Sequence, residues 1–118
     1  MHWKDLEVWK KSHDLVLKVY EVSKTFPKNE TYALTDQIRR ASTSIPANIV
    51  EGQSRNTTKE YLQFLYNARG SLEEVRYFLL LSRDLGYMNK DTFKSFEDDS
   101  VTLSKMVNGL IKSLAAKL

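Results

Sequence analysis

The chain has no cysteine, only two prolines and four glycines, and two histidines among its 118 residues. Without cysteine there is no disulfide, no thiolate metal site and no thiol nucleophile, and the composition suits a reducing cytoplasm. Proline and glycine this sparse exclude a collagenous or low-complexity chain. No stretch approaches the ~18 apolar residues of a membrane span, and the start Met1-His2-Trp3-Lys4-Asp5 has no apolar segment of a secretion signal. What is present is 42% hydrophobic and 28% charged residues, enough core for one domain.

Apolar residues recur at helical spacing almost everywhere, and no two-residue alternation persists long enough for a strand. A first helix is expected over Asp5–Thr25, facing inward with Leu6, Trp9, His13, Val16 and Tyr20. Pro27 ends it, and Asn29 or Thr31 is available to cap the next. A second helix spans Tyr32–Glu51 on Leu34, Ile38, Ala41, Ile45 and Asn48/Ile49. Pro46 inside it lacks an amide hydrogen, so a kink or restart is expected near Ser44, with Gly52 closing the helix. Thr57 or Thr58, helped by Glu60, caps a third helix that reaches Leu85 on Tyr61, Leu65, Ala68, Leu72, Val75 and Leu79. Gly86 stops it. Asn89 caps a fourth over Lys90–Leu114, on Phe93, Phe96, Ser100, Leu103, Val107, Leu110 and Leu114. Short links make neighbours antiparallel, so the expected fold is all-α, an up-down-up-down four-helix bundle in one domain over residues 1–118.

The apolar surface exceeds what one bundle needs. Tyr77, Phe78, Leu79, Leu80 and Leu81 go fully round the third helix, and Val8, Leu15, Val19 and Val22 add a second band to the first. Such surface is either ordinary exposure or an interface with further copies. Self-association is the expectation, through Tyr77, Phe78, Leu80, Leu81 and the band of Val8, Leu15, Val19 and Val22. Gly70 and Gly109 fit close approach of helices.

Enzyme templates find little here. Neither His2 nor His13 has Glu three positions before it, as a bundle-core di-iron site would require. There is no nucleophile elbow, phosphate loop or dinucleotide fingerprint. No catalytic residue, metal, cofactor or small-molecule substrate is expected. His13 reads as a hydrogen-bonded core or interface residue, and Asn48 as the partner of backbone groups freed by Pro46.

Charge is distributed unevenly. Residues 1–59 hold ten Lys/Arg against seven Asp/Glu, and residues 60–118 hold eight of each. The excess of three sits within residues 37–59, where Arg39, Arg40, Arg55 and Lys59 face Glu51 alone. Neutral donors Gln53, Ser54, Asn56, Thr57 and Thr58 accompany them and suit phosphate oxygens. Lys10 and Lys11 are weaker candidates, since Glu7–Lys11 and Asp14–Lys18 have the spacing of solvated helix pairs. Repeated copies would multiply the phosphate contacts.

Several segments carry a further signal: Leu6-Glu7-Val8-Trp9-Lys10-Lys11-Ser12-His13, Gln37-Ile38-Arg39-Arg40-Ala41-Ser42 and Ser44-Ile45-Pro46-Ala47-Asn48-Ile49-Val50-Glu51-Gly52. Gly70-Ser71-Leu72-Glu73-Glu74, Asp84-Leu85-Gly86-Tyr87 and Asn108-Gly109-Leu110-Ile111 extend it. In this order they resemble the bacterial proteins encoded in intervening sequences of 23S ribosomal RNA genes, a family that includes accessory proteins of diversity-generating retroelements. The resemblance implies an antiparallel four-helix bundle, commonly a homopentamer. For the retroelement relatives it also implies a basic surface for nucleic acid and a reverse transcriptase partner. Pro46, Asn48, Glu51 and Gly52 are read as structural, shaping the kink and a subunit contact. The expected function is therefore a non-enzymatic, oligomeric bundle that binds RNA or DNA phosphate through Arg39, Arg40, Arg55 and Lys59, with Lys10 and Lys11. The alternative is a scaffold that docks a protein such as a reverse transcriptase.

Overall fold

The structure, a computed structural model, describes all 118 residues and contains four long helices and no strand. They are α1 (Glu7–Ser23), α2 (Leu34–Gln53), α3 (Thr58–Asp84) and α4 (Lys90–Ala115), with short 3-10 turns at Trp3–Asp5 and Lys28–Glu30. Each helix packs on its sequence neighbour and α4 closes on α1, while the diagonal pairs stay apart. Cross-helix partners run in opposite directions: Arg83 lies over the Phe93 ring near the α3–α4 turn, and Arg69 reaches Asn108 far from it. The result is an antiparallel bundle measuring 45 × 25 × 21 Å.

The expected signals act at two helix starts. Thr57 Oγ1 accepts from the Glu60 amide at 3.1 Å, and Asn89 Oδ1 accepts from the Thr92 amide at 2.8 Å. Gly86, at φ +80°, turns the chain after α3 in the left-handed region that a side chain would strain. The start of α2 differs. Ala33 stands at the cap position with no side-chain bond; Asn29 lies inside the preceding 3-10 turn, and Thr31 Oγ1 donates back to the Lys28 carbonyl at 2.7 Å.

Most of the stripes read for α2, α3 and α4 are buried: Ile38, Ile45 and Ile49, Leu65, Leu72 and Leu79, and Phe96, Leu103 and Val107 form the core, while Tyr61, Phe93 and Leu110 are half-buried and Leu62 and Ile111 join the core instead. In α1 the inward face overlaps the expected one only in part: Val16 is buried, and Leu6 and Trp9 pack against the core. Val8, Leu15 and Val19 are core residues, with Val19 at 0% exposure, whereas Tyr20 and His13 lie at the surface. Val8, Leu15 and Val19 are thus unavailable to another copy, and Val22 is half-buried against the same core. The face passes through Ser12 and Ser23, which are buried because each hydroxyl donates to the carbonyl three residues earlier, Trp9 at 2.8 Å and Tyr20 at 3.3 Å. Ser42, Ser82 and Ser100 use the same device in the other helices. No buried side-chain nitrogen or oxygen is left without a partner.

The glycines also divide differently. Side-chain carbons at Gly70 and Gly109 would meet nothing within 4 Å, so neither brings helices together inside the protomer. Gly52 does. It lies within α2 rather than after it, and a Cβ there would stand 2.9 Å from Phe64 Cβ and from Tyr61 Cδ1.

Along the α1–α4 seam, Asp99 Oδ1 takes Lys11 Nζ at 3.2 Å and Asp99 Oδ2 takes Lys18 Nζ, which also donates to Ser95 Oγ at 3.0 Å. These long-range partners replace the Glu7–Lys11 and Asp14–Lys18 pairs that spacing suggests. Partial burial pushes the Asp99 carboxyl up, but the two ammonium groups together outweigh it and hold the group below its ordinary value of 3.8. A carboxyl depressed in the fold stabilises above its unfolded pKa and loses that contribution as pH falls through the folded one. Asp99→Asn should therefore melt below the parent at neutral pH, the gap narrowing at a pH below the ordinary carboxylate value of 3.8. A gap of equal size at both pH values would exclude the carboxylate as its source.

Candidate nucleic-acid interface

The expected phosphate contacts lie on α2, the α2–α3 turn and the first turn of α3. Arg40 sits on α2 and Arg55 in the turn that follows it, both exposed, while Ala41, Ile45 and Ile49 face the core. Arg40 Nε holds Asp36 Oδ2 at 3.0 Å, four residues away as the spacing predicts. Arg55 Nη2 holds Glu51 Oε2 at 3.2 Å, and its guanidinium lies 4.6 Å from the Phe64 ring. Lys59, in the first turn of α3, is exposed and makes no ion pair. Exposed pairs four apart in a helix are worth only about 0.3–0.5 kcal/mol, so a phosphate can take over either arginine at little cost.

Arg39 has a different position. Its Nε donates to Ser23 Oγ at 2.8 Å, Nη2 approaches the Tyr20 carbonyl at 3.4 Å, and the guanidinium covers the Tyr20 ring at 4.7 Å. It clamps α2 to the end of α1. Lys11 is committed to Asp99, and Lys10 pairs with Glu7 at 3.3 Å on the outer face of α1. The six cations therefore separate into Arg40, Arg55, Lys59 and Lys10, free or loosely paired at the surface, and Arg39 and Lys11, which hold helices together.

Residues around Pro46 are structural in this geometry. α2 continues through Pro46 without a restart at Ser44. Asn48 Nδ2 donates to the Ser44 carbonyl at 2.7 Å and to Ser44 Oγ at 3.0 Å. It thus bonds a carbonyl two residues beyond Ser42, whose partner Pro46 removes. Ser71 Oγ of α3 donates to the same Ser44 hydroxyl at 2.9 Å. Arg40, Ser44, Ser71, Glu74 and Phe78 line a shallow groove of about 300 Å³ between α2 and α3.

Residues 4–109 match the 23S rRNA-intervening sequence protein family. The chain belongs to that family. It is also similar in structure to a protein of unknown function from the S23 ribosomal protein family of Bacteroides thetaiotaomicron, at 25% sequence identity and a TM-score of 0.82 over 89% of this chain and 95% of that one. None of the curated proteins matches.

Within this intervening-sequence family fold, the apolar girdle on α3 is only partly outward. Tyr77 is 57% exposed and Leu80 37% exposed, while Phe78 and Leu81 are half-buried against the core. Tyr77 and Leu80 join Arg76, Glu73, Phe93 and Glu97 around a second groove of about 300 Å³ between α3 and α4. No group of three or more His, Asp or Glu side chains converges as metal ligands would, and no helix is long and apolar enough to cross a membrane. His13 is at the surface, stacked on Trp9 with ring centroids 5.1 Å apart, rather than a buried hydrogen-bonded histidine. Sequence reading missed this stack because it took the rings for core.

Proposed function

We propose that the protein is a non-enzymatic, self-associating bundle that binds nucleic-acid phosphate through Arg40, Arg55, Lys59 and Lys10. The observation that carries this reading is the exposed or loosely paired state of these cations, three of them in the segment that holds the whole net positive charge. Membership of a family defined by 23S rRNA genes supports it. With no base-reading element, contact is to the backbone and is largely independent of sequence. Association runs through the Tyr77–Leu80 edge of α3, and five copies is the number that the family resemblance implies. Each added copy contributes its own set of phosphate contacts.

Light scattering of the purified protein together with its 260/280 nm absorbance ratio tests both parts. Several subunit masses and co-purifying nucleic acid are expected. A single-chain mass at high concentration, with no retention of RNA or DNA at low salt, overturns the reading. Leu80→Lys should dissociate the assembly, because a desolvated ammonium in an apolar contact costs more than the contact returns; an unchanged mass removes this edge from the interface.

The scaffold alternative, docking a protein such as a reverse transcriptase, is favoured by one observation: Arg39 and Lys11 are already engaged within the chain. Salt separates the two. Phosphate binding weakens steeply between low and moderate salt, whereas apolar docking does not.

A further inference from the structure

The start of the chain builds a feature that the row of cations does not use and that the core uses only in part, through Trp9. The rings of His2, Trp3, Trp9 and His13 follow one another at centroid spacings of 4.9, 4.8 and 5.1 Å. Trp9 and His13 lie one turn apart on α1 and are within 5° of parallel, while Trp3 meets Trp9 edge-on. The Trp3–Asp5 turn folds these elements together, and His2 caps it by accepting from the Lys4 amide at 3.2 Å. His2 and His13, the end rings, are exposed; the two tryptophans between them are half-buried.

Rings that served only as filler would be covered. Here the strip ends in exposed rings on both sides. Lys4 places its ammonium 5.6 Å from the centre of the Trp3 ring. Lys4 and Lys10 are offset in formal charge by Asp5 and Glu7, Lys10 through a loose, exposed pair, so what the strip itself adds is ring surface, exposed at His2 and His13. Charge stands beside it. The Gln53 side-chain amide donates to the Met1 carbonyl, fixing the strip to the end of the bundle where the α2–α3 turn carries Arg55 and Lys59.

Unpaired nucleotides present this same pairing of features, a flat base and a phosphate, whereas a duplex hides its base faces. We infer that the His2–Trp3–Trp9–His13 strip is a stacking site for unpaired bases of a single strand, whose backbone passes Arg55 and Lys59. This rests on the nucleic-acid reading above and narrows it to single-stranded segments.

Trp3 and Trp9 are the two tryptophans of the chain, so tryptophan emission reports on this strip alone. Titration with a thymidine oligomer of about 20 nucleotides at low salt should quench that emission, and a blunt duplex of equal length should not. Affinity for the labelled oligomer, read by anisotropy, should fall about tenfold in Trp3→Ala and in His13→Ala. If Trp3→Ala alters helix content by circular dichroism, the exposed His13→Ala carries the test. Binding with unchanged emission and parental affinity in His13→Ala overturns the stacking site while leaving phosphate binding in place. Equal quenching by the duplex overturns the preference for single strands. No binding of either probe overturns both readings.

Discussion

Val19→Lys should leave a chain that no longer melts cooperatively, while Leu17→Lys, two residues away, should melt close to the parent. Val19 has 0% exposure and Leu17 has 56%, and the two lie on opposite sides of α1. A lysine at position 19 replaces packed methyl groups with an ammonium that has no acceptor among Leu15, Ile38 and the other apolar neighbours of the core. Burying a charge without a partner costs several kcal/mol, against a total stability of about 5–15 kcal/mol for a domain of this kind. The change at Leu17 touches solvent and should stay within about 0.5 kcal/mol. Far-UV circular dichroism melts check the pair. A Val19→Lys protein with the parental transition would turn α1 towards the face bearing His13 and Tyr20.

Reversing Arg40, Arg55 and Lys59 together to glutamate should abolish retention of RNA at low salt without changing the oligomer mass. Each protomer then loses three cations and gains three anions beside a polyanion. The fold should survive, because the exposed i,i+4 pairs given up at Asp36 and Glu51 are worth only about 0.3–0.5 kcal/mol each, and like charges there cost a similar amount. Arg39 is left in place, since replacing it would release α1 from α2 and confuse binding with folding. In the parent, several protomers each making three phosphate contacts should lose affinity at least about a thousandfold between 50 and 200 mM salt. Filter retention of labelled RNA measures both effects; parental retention by the triple variant would remove these residues from the site.

The legibility of this chain varied with how its helices bury polar atoms. α2, α3 and α4 were readable because their stripes are nearly continuous in Ile, Leu, Val and Phe, and Thr57, Asn89 and Gly86 mark starts and stops by plain chemistry. In α1 the expected stripe is right at Val16, and in part at Leu6 and Trp9, but it misses the centre of the buried face, which alternates Val8, Leu15 and Val19 with Ser12 and Ser23. Those hydroxyls are satisfied within the helix, which sequence spacing cannot display. Large rings at 9, 13 and 20 then made the wrong face look apolar. The cations were readable as residues but not as roles. Arg39 and Arg40 are adjacent and identical in type, yet a rotation of about 100° per residue turns one into a clamp on Ser23 and Tyr20 and the other towards solvent. Lys11 and Lys18 converge on Asp99 from across the bundle, a contact that local spacing could not reveal.

That convergence gives the molecule a preferred way to come apart. α1 meets α4 along the thinnest of the four seams, and a latch of two lysines on one aspartate spans it at partly exposed positions. α2, α3 and α4 still pack in series without it. Opening is therefore expected to begin with α1 swinging off α4, about its remaining attachment to α2, and ions in solution should ease the latch by screening it.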